Sequence, residues 1–106
     1  MDATTESIIL REHVLAHKDK IAALARQYGV KNVRIFGSVA NGNANKDSDI
    51  DILVDRDGIS GLFEICEIYS KLGEILDHEI DFVISDTVHE NKRKGILEGE
   101  QIWICA

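Results

Sequence analysis

Residues 33 to 55, VRIFGSVANGNANKDSDIDILVD, put two aspartates one residue apart at the start of an apolar run, and few folds accommodate that arrangement. An apolar stretch from Val33 to Phe36 turns at Gly37 and Ser38, small polar residues follow from Asn41 to Ser48, and a second apolar run opens at Asp49. Two strands joined by a special turn are predicted. Side chains alternate along a strand, so Asp49, Asp51, Leu53 and Asp55 share one face while Ile50, Ile52 and Val54 share the other. Like charges one pleat apart repel by on the order of a few kcal/mol at an effective dielectric of roughly 20. A divalent cation reverses that sign, and Mg²⁺ binds through one or two carboxylates plus substrate phosphates rather than in an all-protein cage. Gly37 and Ser38 suit the phosphate half of such a site. A glycine at a strand end lets the backbone approach a ligand, and a serine there can turn its hydroxyl and the following N–H groups onto an anion.

Gly37-Ser38, ten intervening residues and then Asp49-x-Asp51 resemble the GS, ten residues, DxD signature of the polymerase β-like nucleotidyltransferases. The flanks agree: an apolar run before Gly37, Ser48 before the first aspartate, and an apolar run after the second.

Upstream, Leu10, Val14, His17, Ile21, Leu24, Ala25 and Tyr28 recur at steps of three and four, which predicts one amphipathic helix over 5–28 ended by Gly29. His13 and His17 are four apart on it, but without a third ligand they read as helix-surface residues rather than a metal pair. Downstream, Asp57-Gly58 marks a turn, and Ser60 is placed to cap a second helix from Gly61 to about Asp77. Its predicted buried stripe is Leu62, Ile65, Cys66, Tyr69, Leu72 and Leu76, widened by Phe63, Ile68 and Ile75. That breadth also suits self-association or contact with a partner.

His78 to Ile84, HEIDFVI, predicts a third strand with Ile80, Phe82 and Ile84 on one side. Asp81 falls in its middle. Standing alone, an acid there marks a solvated sheet face; beside the Asp49–Asp51 strand it completes a cluster of three carboxylates. Thr87-x-x-Glu90 is a capping-box pattern for a short helix over 88–98 carrying Lys92, Arg93 and Lys94, either a solvated face or a contact for phosphate or an acidic partner. Gln101 to Cys105 reads as a last strand or extended tail with Trp103 inside or at an interface.

The predicted class is α/β (α+β): a small mixed sheet with helices on one face and three aspartates on the other. At 106 residues the chain is expected to form a single domain over 1–106 around one core. With 19 acidic against 12 basic side chains its net charge is −7, which disfavours direct binding to nucleic acid and suits a basic protein partner. No apolar run reaches the roughly 20 residues of a bilayer span, and the first residues lack the pattern of a signal peptide, so no membrane association and a cytoplasmic location are expected. Cys66 and Cys105 read as reduced packing residues.

The resemblance implies more. It makes Asp49, Asp51 and Asp81 the catalytic, metal-holding carboxylates, with Mg²⁺ as cofactor and ATP as substrate. Gly37, Ser38, Asp49 and Asp51 would bind the nucleotide, with Arg34, Asn41 and Asn43 as lesser contributors. A chain of this size resembles the minimal nucleotidyltransferase family, commonly encoded beside a HEPN-domain toxin. The implied function is an antitoxin that transfers AMP to a tyrosine of that HEPN ribonuclease. Two other readings stay open: an antitoxin that acts by binding alone, and a nucleotidyltransferase subunit acting on a small molecule or an RNA end. The turn reads VANG where many relatives have a VARG-like turn, so weaker phosphate binding is expected at Asn41. Leu53 and Val83, on the aspartate face, would line either a base pocket or a partner interface.

Overall fold

A computed structural model describes residues 3–56, 61–87, 94–96 and 99–105. The order of elements is α1 (Thr5–Ala16), α2 (Lys18–Tyr28), β1 (Val30–Phe36), α3 (Gly37–Asn41), β2 (Ile50–Arg56), α4 (Leu62–Leu76), β3 (Ile80–Ile84), a 3₁₀ turn (Ser85–Thr87) and β4 (Ile102–Cys105). The strands form one sheet in the order β3-β2-β1-β4. β1 runs antiparallel to β2 and β4, while β2 and β3 are parallel. Parallel neighbours need a crossover connection, and α4 supplies it. The sheet is therefore mixed, as the sequence predicts.

Alternation along β2 sorts its side chains as expected. Ile50, Ile52 and Val54 are fully buried in a cluster with Val14, Ile21, Leu72 and Leu76 from the helices. Leu53, only 2% exposed, lies outside that cluster, on the aspartate face.

Two expectations are corrected and one is narrowed. The predicted helix over 5–28 is broken at His17, whose backbone (φ −104°, ψ 15°) ends α1 and starts α2. The break lets α1 pack on α3 while α2 packs on α4 and the sheet. His13 and His17 meet edge to face with ring centres 5.0 Å apart, and His13 Nε2 donates to the Leu76 carbonyl, tying α1 to the end of α4. The buried stripe of α4 is Ile68, Leu72 and Leu76 with Ile65 and Ile75 partly covered, whereas Leu62, Cys66 and Tyr69 are exposed. Nearly every face of this helix carries an apolar residue, so periodicity alone did not choose among them. Trp103 is not inside: it is 56% exposed on β4, with the Arg34 guanidinium 5.3 Å from its ring centre. The Ser60 cap and most of the helix over 88–98, with Lys92 and Arg93, lie outside the described residues; α4 itself starts after Gly61 with no side-chain cap bond.

Candidate active site

The site is built where β1 ends and β2 and β3 begin. Asp51 and Asp81 pair in register across the parallel strands, and Phe36, the last residue of β1, pairs with Asp51 from the other side. Asp49 lies two residues upstream of Asp51 at the exposed entry to β2. The sheet thus brings all three sequence-predicted aspartates to one end.

Gly37 turns the chain directly over Asp51. Its φ of +69° is in the left-handed region, and a Cβ added there would stand 2.1 Å from Asp51 Oδ2, so any other residue would be strained and would displace the Asp51 carboxylate. The next backbone N–H, that of Ser38, donates to the Asp51 carboxylate. Gly37 also lines a cleft of about 300 Å³ with Phe36, Asn41, Gly95, Ile96 and Gly99. The predicted nucleotide-binding pair therefore borders both a carboxylate and open space.

This turn is held by residues that sequence reasoning missed. Arg11 of α1 donates from Nε to the Val39 carbonyl (2.9 Å) and from Nη2 to the Ala40 carbonyl (2.8 Å), satisfying the open end of α3. Thr4 caps α1 and donates through its hydroxyl to the Ala44 carbonyl at 2.7 Å, and the buried Ser7 hydroxyl accepts from the Ala44 N–H at 2.8 Å. The Ala44 partner of Thr4 and Ser7 lies about forty residues on, which no local pattern announces.

Electrostatics separates the carboxylates. Burial pushes Asp51 up from the ordinary 3.8 to about 6, aided by the charges of Asp81 and then Asp49, and the Ser38 N–H only partly opposes them. Asp55, two pleats further along the same face, goes the other way. Burial would raise it, but hydrogen bonds from Ser85, Asn32 and Arg34 outweigh burial and hold it below the usual carboxylate range. Arg34 is 5% exposed and donates from Nη1 to Asp55 Oδ1 at 3.0 Å. That placement removes Arg34 as a phosphate contact. Asn41 is engaged as well, its Oδ1 accepting from the Glu100 N–H at 3.0 Å.

The donor set suits a hard cation: half-buried Asp51 has carboxylate neighbours and is raised by burial and then by their charges. Among the described residues no three Asp, Glu, His or Cys side chains converge into a metal cage. Mg²⁺ does not need one, since two carboxylates and substrate phosphates complete its shell. The residues present fit the ion in that form.

A family model described as "Polymerase beta, Nucleotidyltransferase" matches residues 19–105. The protein adenylyltransferase MntA of Thermococcus cleftensis is 34% identical over 77% of the chain and 80% of its own length. Among solved structures, a protein provisionally named a minimal nucleotidyltransferase superposes with a TM-score of 0.72 at 29% identity, covering 94% of both chains. A chain from a crystallised MntA toxin–antitoxin complex superposes with a TM-score of 0.61 at 27% identity, covering 80% of this chain and 70% of its own.

Proposed function

The chain belongs to the polymerase β nucleotidyltransferase family, and from that membership we propose that it is an antitoxin of one minimal domain, residues 1–106, that transfers AMP from ATP to a tyrosine of a HEPN-domain ribonuclease toxin. The observation that carries this reading is Asp51: a half-buried carboxylate raised to about 6 beside Asp81 and Asp49, under a glycine turn where any side chain would displace it. A structural scaffold gains nothing from that arrangement. An adenylyltransferase relative and a structural neighbour from a toxin–antitoxin complex support the acceptor being a protein.

In this mechanism Asp49 and Asp51 are the residues that would hold Mg²⁺, with the nucleotide phosphates completing its shell, and Asp81 is the carboxylate left for the acceptor. Bound there, the ion supplies positive charge against the phosphates and the charge that develops during transfer. Ser38 N–H orients the Asp51 carboxylate, and Gly37 leaves space for the phosphates. Asp81, exposed and in register with Asp51, accepts the proton of the tyrosine hydroxyl. The tyrosine oxygen forms a bond to the α-phosphorus, the bond from that phosphorus to the bridging oxygen breaks, and pyrophosphate leaves. A net charge of −7 favours a protein over a nucleic-acid partner. Among the described residues no helix is long and apolar enough to cross a membrane, and action on a HEPN ribonuclease suits a cytoplasmic location.

The test is the intact mass of the neighbouring gene's product, expected to be a HEPN-domain protein, after incubation with this protein, ATP and Mg²⁺. A gain of one or more AMP units, lost with the Asp49→Asn, Asp51→Asn double variant, is expected. A tight complex with no mass gain would instead favour an antitoxin that acts by binding alone.

A further inference from the structure

Along α4, Leu62, Cys66, Tyr69 and Gly73 recur at steps of four, three and four on one strip, and the first three are exposed. Leu62 and Phe63 at its start are 77% and 73% exposed. At the other end the strip runs into a groove of about 670 Å³, lined among others by Tyr69, Gly73, Glu74, Asp77, His78 and Glu79. A Cβ built on Gly73 meets nothing within 4 Å, so the groove is open above the helix backbone. Ile80 also lines it, one residue before Asp81, and His78 Nε2 bonds the Ser48 carbonyl at 3.1 Å, one residue before Asp49. The groove therefore reaches the end of the sheet where β2 and β3 begin, on the helix-covered side of the edge strand β3, with Asp81 on the opposite face of that strand.

Its charge is one-sided. Glu74, Asp77 and Glu79 are exposed around it, while Lys71, the cation of this helix, has its Nζ 5.2 Å from the centre of the Tyr28 ring. A second copy of the chain would set acidic rim against acidic rim, since a two-fold interface opposes a patch to itself. A basic partner is complementary, and the apolar strip supplies burial area that charge alone does not.

We propose that this groove docks the acceptor protein of the transfer reaction through a basic segment, its cations against Glu74, Asp77 and Glu79 and an apolar side chain in the gap over Gly73 beside Tyr69. Docked there, the acceptor reaches Asp81 around the β3 edge of the sheet. This rests on the protein acceptor proposed above.

Two variants test it against the HEPN-domain acceptor of the neighbouring gene: Gly73→Trp, which fills the groove where the fold leaves room, and Glu74→Lys with Glu79→Lys. Both should keep the wild-type rise in melting temperature with Mg²⁺ and ATP, because the nucleotide end is untouched. Acceptor Kd and KM should each rise about tenfold or more in both, and the charge variant should lose most of the salt dependence of binding. Unchanged acceptor Kd in both variants would overturn the groove even if the wild type transfers AMP. Groove-dependent binding with no AMP attached would support the groove and overturn the chemistry instead. A wild-type dimer in size-exclusion chromatography that both variants dissolve would overturn the proposal by assigning the groove to a second copy.

Discussion

Asp51 and Asp55 sit on the same face of the same strand, two pleats apart, and the protein treats them oppositely. Asp55 is answered by Arg34 at 3.0 Å and by the Asn32 amide at 2.8 Å, so its charge is satisfied within the fold. Asp51 has the Ser38 N–H and two other carboxylates, so burial and repulsion leave its charge unanswered. A strand face that looks uniform in sequence is divided into a structural half and a ligand-seeking half. The partition is made by β1, which brings Arg34 alongside Leu53 but only Phe36 alongside Asp51.

The largest expected effect comes from disturbing the unsatisfied half alone. Gly37→Ala puts a methyl on Asp51 Oδ2 and forces an L side chain into φ +69°. Misplacement of about 1 Å at a reacting centre costs about 10²-fold, so AMP transfer should fall by that much or more, while the Arg34–Asp55 pair stays intact. Retention of full kcat in an assay of acceptor mass would refute the assignment of Asp51.

Breaking the satisfied half should act on stability instead. Asp55→Asn leaves the buried Arg34 without its countercharge, though Arg34 keeps the Asn32 carbonyl and Gln101 as acceptors, and is expected to lower unfolding free energy by about 1–2 kcal/mol, below the 3–5 of a fully buried pair that loses a partner. Urea unfolding measures it; a cost below about 0.5 kcal/mol would mean the pair is dispensable and the contrast with Asp51 is false.

The smallest effect is in pH dependence, and its sign differs between the two residues. The folded state holds the Asp51 proton more tightly than the unfolded chain, so stability of the nucleotide-free protein falls as pH rises from about 3.8 to about 6 and is flat above. The full linkage is discounted to about 1–2 kcal/mol, because solvent screens a half-exposed carboxylate. Asp55 is held low when folded, so its contribution is present above its ordinary value and is lost as pH falls below it. The difference between wild type and Asp51→Asn, followed by thermal unfolding across pH 3 to 8, isolates the first: the variant should be the more stable above about pH 6. Equal stability there would show that the repulsion at Asp51 is relieved within the fold.

Much of the site was legible because its signals are local. Gly37-Ser38, the alternation through Asp49 and Asp51, and an acid inside the apolar strand at Asp81 each announce themselves within a few residues, and the sheet brings all three carboxylates to one end. Arg11 gave no such signal. Its role is to receive the Val39 and Ala40 carbonyls, which lie 28 and 29 residues away. Arg34, near the motif in sequence, was read toward the nucleotide because nothing local reveals that β1 pairs it with Leu53 and presents it to Asp55.

The amino-acid sequence by itself determined the strand alternation, the glycine turn and the spacing of the three aspartates, since these follow from period-two geometry and backbone sterics over short spans. Tertiary structure decided the rest. Packing against different neighbours broke the first helix at His17, and the sheet's demand for cover chose Ile68, Leu72 and Leu76 over Leu62, Cys66 and Tyr69 as the buried face of α4. Strand pairing decided which aspartate would be neutralised. Burial and charge pairing depend on surfaces brought together from distant parts of the chain, and no local pattern in the residues encodes which surfaces those are.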